Sequence, residues 1–393
     1  MDLLIKNGFV LQSNGSFLRG HIGIDRGKIA ALWYSGNPSS CVCDSEIDAG
    51  DYFVSPGLID THIHGGNGFN FSLEGGSGWE KLEERLTSTG VTSVLPTGTS
   101  LPPDETLKFI DRIAALKEKN DSNRVEILGA QMEGPYINKN KKGAHLEEYI
   151  RPADPVEIER ILDRGLVRIW AMAPEIEENM AAVKIIAAAG VSVSLAHTDA
   201  DYNAAMNAFS AGANRVTHTF NAMPPLNQRY QGIVTAAWQH GAFMELIADG
   251  HHVSQTIMKM FVAATDPGKI VLVSDNNEFS GFKEGTYFRN NRRLTIEDGQ
   301  LKTESGSLAG SIAGLNQIAL NLTRCGFSPA AALRTVTENP ARSAGVFERK
   351  GSIALGKDAD IVILDARFEP VITIKAGRIV YESNRFPMAV RGG

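Results

Sequence analysis

The strongest constraint in this chain is an alternation that recurs through residues 54–345: short apolar runs of strand length, each followed by a stretch with helical period. Runs that are apolar almost throughout suit parallel strands covered on both faces by crossover helices, not half-exposed antiparallel strands. Eight can be counted: Val54–Asp60, Val91–Pro96, Glu126–Glu133, Val167–Ala173, Val191–His197, Arg215–His218, Phe243–Ala248 and Ile270–Asp275. Helical stretches fall between most of them, at Gly78–Thr89, Asp104–Lys119, Pro155–Arg164, Glu177–Ala189 and Asp201–Ala211. Eight such units predict an α/β fold, a (β/α)8 barrel of the TIM type.

Barrels of this kind carry their reactive groups at the carboxyl ends of the strands and in the loops just beyond. The polar residues fall there. His62 and His64 follow the first run, Glu133 ends the third, His197 the fifth, His218 the sixth and Asp275 the eighth. Of the nine histidines, only His21 and His240 lie outside such loops. One buried histidine is ordinarily a hydrogen-bonded core residue, but several at one end of a barrel read as ligands. His62 and His64, two apart on an extended segment, point to the same side and can share a cation. Asp275 could cap a helix, yet at a strand end beside metal-binding side chains it reads as catalytic. Ser194 and Asp199 near His197 suggest a triad only superficially, because sequence neighbours on one strand seldom reach that geometry. Gly65-Gly66-Asn67-Gly68 lacks both GxGxxG spacing and a P-loop lysine and reads as a turn.

The chain ends have a different pattern. Residues 1–53 give short β-branched runs separated by turn signals such as Asn14-Gly15 and Asp25-Arg26-Gly27, and the pattern returns within residues 346–393 around Ala376-Gly377. Both ends together are expected to form one small β-sandwich beside the 54–345 barrel.

Composition excludes several functions. A net charge of -6 from 39 basic and 45 acidic residues, without a basic block, argues against nucleic acid as a partner. Three cysteines, Cys41, Cys43 and Cys325, make no disulfide framework and fit a reducing cytoplasm. Cys41-x-Cys43 lacks a second pair that would make it a metal clip. The amino terminus reads as a strand rather than a leader, and the most apolar stretch, Ala181–Ala196, is interrupted by Lys184 and Gly190 and too short to span a bilayer, so a soluble protein without membrane contact is expected.

Pro56-Gly57-Leu58-Ile59-Asp60-Thr61-His62-Ile63-His64-Gly65 resembles the first-strand signature of the amidohydrolase superfamily. Met132-Glu133-Gly134-Pro135, Lys142-Gly143-Ala144-His145, Ala196-His197-Thr198-Asp199, Thr217-His218-Thr219-Phe220-Asn221-Ala222-Met223, Ala248-Asp249-Gly250-His251-His252, Ser305-Gly306-Ser307-Leu308-Ala309-Gly310 and Gly356-Lys357-Asp358-Ala359-Asp360 resemble, in order, the N-acetylglucosamine-6-phosphate deacetylases. The resemblance implies removal of acetyl from a phosphorylated amino sugar with one or two divalent metal ions, zinc first among zinc, iron, manganese and cobalt. It implies that Glu133, His197 and His218 hold one metal and that His62, His64 and the shared Glu133 hold a second, with Asp275 beside them as acid and base. The fourth strand has no lysine that could bridge two metals in place of Glu133. His145 is implied to polarise the substrate carbonyl, while Asn221, Ala222, Leu308, Ala309 and Gly310 line the sugar. His252, rather than His251, is implied to contact the phosphate, as is Arg229, reaching across a homodimer interface. Tyr230-Gln231-Gly232 and Asn276-Asn277-Glu278-Phe279 depart from the family pattern beside the ligand. They keep two alternatives open: a related substrate, such as N-acetylgalactosamine-6-phosphate or another N-acyl compound, and a non-catalytic scaffold.

Overall fold

The computed structural model describes residues 1–35, 42–73, 78–119, 124–289, 292–385 and 391–392. Its centre is a parallel barrel of strands β1 (Leu58–Ile63), β2 (Val91–Gly98), β3 (Ala130–Glu133), β4 (Val167–Met172), β5 (Ser192–Leu195), β6 (Ala213–Val216), β7 (Phe243–Leu246) and β8 (Ile270–Leu272). Helices alternate with them as α1 (Trp79–Ser88), α2 (Pro103–Glu118), α3 (Pro155–Leu162), α4 (Glu177–Ala188), α5 (Tyr202–Ser210), α6 (Ile233–His240), α7 (Gln255–Ala264) and α8 (Leu315–Thr323). Several starts are written locally in the sequence. Asp154 caps α3 by accepting the Val156 N–H at 2.9 Å ahead of Pro155, and Asp201 caps α5 through the Ala204 N–H at 2.8 Å.

Two of the expected strands are divided. The run Val54–Asp60 splits at Gly57: Phe53–Pro56 joins the sheet built by the chain ends, and only β1 enters the barrel. A Cβ on Gly57 would lie 2.2 Å from Thr92 Oγ1, so the crossing between sheets needs glycine there. The run Glu126–Glu133 breaks into Glu126–Ile127 and β3, because the Leu166 carbonyl presses against Gly129 and takes the Ala130 N–H at 2.9 Å.

The barrel closes without a full ladder between β8 and β1. At the carboxyl end the Asp275 N–H donates to the His62 carbonyl at 2.9 Å, and the His64 N–H donates to the Asn276 carbonyl at 2.7 Å. Lower down, Thr335 and Val336 fill the seam: Leu272 N–H reaches the Thr335 carbonyl at 3.0 Å and Ile59 N–H the Val336 carbonyl at 2.9 Å. Ile59, Leu95, Leu128 and Ile169 meet Ala341 and Ala344 in a separate apolar cluster, with Val346 and Phe347 packed against it. The apolar plug comes from early strand positions, and the polar groups gather where the strands end.

The first fifty-odd residues and the last thirty build one nine-stranded sheet. Phe53–Pro56 lies parallel to Leu3–Leu11 on one side and antiparallel to Ile361–Leu364 on the other. Alternation along Ile361–Leu364 gives it two apolar faces: Ile361 and Ile363 join Leu3, Ile5, Ile22 and Ile24 in a core of their own, while Val362 and Leu364 belong to the barrel's core. A three-stranded antiparallel sheet, Gly285–Arg289, Arg292–Glu297 and Gln300–Thr303, follows β8 and was not anticipated from the sequence. Among the described residues no helix is long and apolar enough to cross a membrane. Cys43 bonds Glu46 and Cys325 is buried; Cys41 lies outside the described residues.

A buried ionic cluster fastens the end sheet to the barrel. Lys350 contacts Asp360, Glu126 at 2.8 Å and Asp358 at 3.2 Å, and Lys375 contacts Asp360 at 3.1 Å and Glu126 at 3.3 Å. Burial would raise Glu126, yet Arg349, Lys350 and Lys375 hold it well below the usual carboxylate range. We predict that Lys350→Met, which leaves Asp360 buried beside fewer cations, destabilises the protein by about 3–5 kcal/mol in urea unfolding. A loss below 1 kcal/mol would show that Lys375 alone neutralises the cluster.

Candidate metal centre

Glu133, at the end of β3 and 4% exposed, is the point on which the site converges. Its Oε1 lies 3.0 Å from His218 Nε2, 3.1 Å from His197 Nε2 and 3.5 Å from His62 Nε2. Its Oε2 lies 3.2 Å from His64 Nε2 and 3.3 Å from His145 Nε2. Asp275 Oδ1 stands 3.4 Å from His64 Nε2 and 3.6 Å from His62 Nε2. Donor atoms of His62, His64 and Glu133 all lie within 4.8 Å of one another, as do those of Glu133, His197 and His218.

The second nitrogen of each ring determines what the first can do. His64 Nδ1 faces the Thr97 carbonyl at 3.1 Å, and His197 Nδ1 faces the Lys141 carbonyl at 2.7 Å. Carbonyl oxygens only accept, so these Nδ1 atoms carry hydrogen and each ring turns Nε2, its remaining ligand atom, to the centre. His62 does the same through Glu245 Oε2, 3.0 Å from its Nδ1. His145 is opposite. The Ser100 N–H donates to its Nδ1 at 3.1 Å, so its Nε2 carries the hydrogen and donates towards Glu133. Burial first, then His197 and His64, hold His145 down at about 4 despite Glu133, and it stays neutral.

The charge balance favours a cation. Burial opposes charge on His62 and His64, yet Glu133 and Glu245 raise His62 well above its ordinary value, and Asp275 with Glu133 holds His64 at about 9. Burial likewise opposes ionisation of Asp275, but His64 and His62 bring it down to about 2. Among the described residues, His62 Nε2 and His218 Nδ1 are buried without a hydrogen-bond partner. Nitrogen lone pairs and two ionised carboxylates, enclosed together, suit a divalent metal of the zinc class. The other acidic trio, Glu126, Asp358 and Asp360, does not, because Arg349, Lys350 and Lys375 already neutralise it.

His197 (φ +43°), His218 (φ +29°) and Asp275 (φ +48°) sit in left-handed backbone, as does Ala222 (φ +50°). Each costs about 1–2 kcal/mol for a residue with a Cβ. The turns that end β5, β6 and β8 are thus held by their surroundings, not by local preference.

The remaining residues expected around a ligand occupy several positions. Asn221 Nδ2 donates to the His218 carbonyl at 3.1 Å, and the Ala222 carbonyl accepts the Thr198 N–H at 3.1 Å. The Ala309 carbonyl takes Asn277 Nδ2 at 2.5 Å, and Leu308 bridges to Lys302, so Leu308–Gly310 lies between Asp275 and the three-stranded sheet. His252 is half-buried, with its ring paired through Nδ1 with Asp249 at 2.7 Å. Arg229 is exposed, its N–H bonded to Asn227 Oδ1 at 2.8 Å, and is not brought to the histidines. The segment Asn276–Phe279 is built in: the Asn276 carbonyl accepts the His64 and Gly65 N–H groups, and Phe279 packs on Leu294, Ile296 and Ala309.

Sequence reasoning missed Glu245, Arg215, Asp249, Thr97 and Ser100. Arg215 and Glu245 carried a usable signal, a charged residue within each of two successive short strands. Thr97 meets His64 through its backbone carbonyl, and Ser100 meets His145 through its backbone N–H as well as its hydroxyl; neither left a signal.

Comparison with known proteins agrees with this geometry. Residues 53–380 match the sequence model of the amidohydrolase family. The N-acetylglucosamine-6-phosphate deacetylase of Bacillus subtilis is 33% identical over 392 residues, 97% of this chain and 98% of that one. The N-acetylgalactosamine-6-phosphate deacetylase of Escherichia coli is 33% identical over 317 residues, 80% of this chain and 84% of that one. A Mycobacterium smegmatis N-acetyl-D-glucosamine-6-phosphate deacetylase, solved as an aspartate-to-alanine mutant in complex with N-acetyl-D-glucosamine-6-phosphate, superposes with TM-score 0.87 at 28% identity, covering 96% of this chain and 99% of that one.

Gly310 offers a test of how tightly the loops are held. Its φ is +79°, and a Cβ there would stand 2.7 Å from the Asp275 carbonyl oxygen, whereas Gly306, at φ +81°, has nothing within 4 Å. Both alanine variants lose about 1 kcal/mol to backbone strain. We predict that Gly310→Ala loses at least about 1 kcal/mol more than Gly306→Ala in urea unfolding; equal losses would mean the loop shifts freely away from Asp275.

Proposed function

From a chain that belongs to the amidohydrolase family, we propose a metal-dependent hydrolase that converts N-acetylglucosamine-6-phosphate and water to glucosamine-6-phosphate and acetate. The observation that carries this reading is the opposed orientation of the histidines around Glu133: acceptors behind His62, His64 and His197 hold the Nδ1 hydrogens and leave Nε2 to ligate, whereas a donor behind His145 puts an N–H at its Nε2. That set can hold cations and still leave one neutral donor for the substrate.

In this reading Glu133, His197 and His218 hold one divalent metal, and His62, His64 and the shared Glu133 a second, with Asp275 beside both; zinc suits the donors, as do iron, manganese and cobalt. A metal held there would supply Lewis acidity, lowering the pKa of water and polarising the amide carbonyl. Asp275, as a carboxylate, accepts the proton of the attacking water as its oxygen bonds to the acetyl carbon. His145 Nε2–H donates to the carbonyl oxygen as charge builds on it, with no rearrangement, because Ser100 fixes the ring. As the C–N bond breaks, Asp275 returns the proton to the departing sugar amine.

His252, oriented by Asp249, contacts the phosphate together with Arg229 from the partner subunit of a homodimer. Asn221, Ala222 and Leu308–Gly310 line the sugar. The barrel, which begins at Leu58 and not at residue 54 as the apolar run suggested, forms the catalytic domain, and the sheet of both chain ends, which takes in Phe53–Pro56, the supporting one; the enzyme serves amino-sugar breakdown in the cytoplasm.

Acetate release from N-acetylglucosamine-6-phosphate, measured beside the unphosphorylated sugar and the galacto isomer, tests the whole reading. We expect turnover of the gluco phosphate, lost on chelation and restored by zinc, with Asp275→Asn slower by about 10²–10⁴-fold. A tenfold preference for the galacto phosphate would reassign the substrate, and no release from any of the three by metal-loaded protein would end the proposal.

A further inference from the structure

The interior of the barrel holds a charged unit that the chemistry above does not use. Glu245, on β7, is completely buried, as are Arg215 on β6 and Thr61 and His62 on β1. Glu245 Oε1 accepts from Arg215 at 2.8 Å through Nε and 2.7 Å through Nη2. Its Oε2 accepts from His62 Nδ1 at 3.0 Å and from the backbone N–H of His218 at 3.1 Å. Arg215 is anchored in turn, Nη2 on Thr61 Oγ1 at 2.8 Å and Nη1 on Ser343 Oγ at 2.5 Å.

We propose that Glu245, held by Arg215, is a positioning residue that decides which nitrogen of His62 carries the hydrogen, and so whether the His62–His64 position can hold a cation; this rests on the metal-dependent reading above.

Only an acceptor can stand at Glu245 if His62 is to offer a lone pair inward. His64 and His197 obtain theirs from the Thr97 and Lys141 carbonyls, but the acceptor facing His62 Nδ1 is this carboxylate. A carboxylate keeps the Nδ1 hydrogen in place and makes Nε2 a better ligand. Its charge must be balanced in a dry interior, which accounts for a fully buried arginine on the neighbouring strand. Glu245 Oε2 also holds the backbone N–H of His218, whose φ of +29° is strained.

An amide at residue 245 has one acceptor for two sets of donors. In Glu245→Gln, either the oxygen stays with Arg215 and the NH2 meets His62 Nδ1, forcing hydrogen onto Nε2, or the NH2 confronts the guanidinium. Glu245→Asp keeps the charge for Arg215 but withdraws the oxygens from His62, and covers the case in which Glu245→Gln does not fold.

Chelator-stripped protein titrated with Zn²⁺ against a chromophoric competitor gives the test. We expect two zinc ions per wild-type chain; in either variant one should bind as in the wild type and the other about 10–100-fold more weakly. In a His62→Gln background, adding the change at 245 should alter zinc binding less than twofold. Two zinc ions at wild-type affinity in the variants, equal weakening with and without His62, or one zinc in the wild type would overturn the proposal. A wild-type protein that binds no zinc, cobalt, manganese or iron would instead defeat the metal-dependent reading itself.

Discussion

Everything at the mouth of the barrel is organised around one carboxylate removed from water. Glu133 approaches five imidazoles at 3.0–3.5 Å, and without partners of that kind an ionised group so enclosed would be prohibitively costly. The five rings come from the ends of β1, β5 and β6 and from the loop after β3, so the barrel must close to within hydrogen-bond tolerance before Glu133 is satisfied. The apolar plug of Ile59, Leu95, Leu128 and Ile169 provides that rigidity from below. Three left-handed residues, His197, His218 and Asp275, are held in place by the same closure.

Histidine is used in two senses within a few ångströms. Outer acceptors hold the Nδ1 hydrogens of three rings and leave Nε2 to ligate, and one backbone N–H, from Ser100, turns a fourth into a proton donor. The partition of roles therefore lies in the groups behind the rings rather than in the rings themselves. An amide hydrolase needs both, a Lewis-acid site for water and a hydrogen-bond donor for the developing oxyanion.

The eight-strand pattern and the placement of His62, His64, Glu133, His197, His218 and Asp275 were legible because parallel buried strands write unbroken apolar runs and polar residues interrupt them only where strands end. Boundaries were less legible. Val54–Asp60 reads as one apolar run, and only the crowding of Thr92 against Gly57 shows where the chain changes sheets. The three-stranded sheet after β8 was missed because it does not continue the βα alternation. Thr97, Lys141 and Ser100 were invisible for another reason: they act, Ser100 alongside its hydroxyl, through main-chain atoms, which every residue type possesses. Arg215 and Glu245 were visible but unread, since a charge within a strand gains meaning only when its partner on the next strand is known.

The sheet shared by both chain ends bears on the order in which the molecule can assemble. Lys28 meets Asp358, 330 positions later, and Phe53–Pro56 pairs with Ile361–Leu364, so the amino-terminal hairpins leave the ribosome long before their neighbours exist. Contacts of such long range are slow to form, and until then the open edge at Phe53–Pro56 can pair with any passing strand. The barrel lies between the two halves of this sheet in the chain, and its folding brings them together. Gly57 joins the early strand directly to β1, so the last sheet to be completed is tied from the outset to the strand that carries the first two histidines.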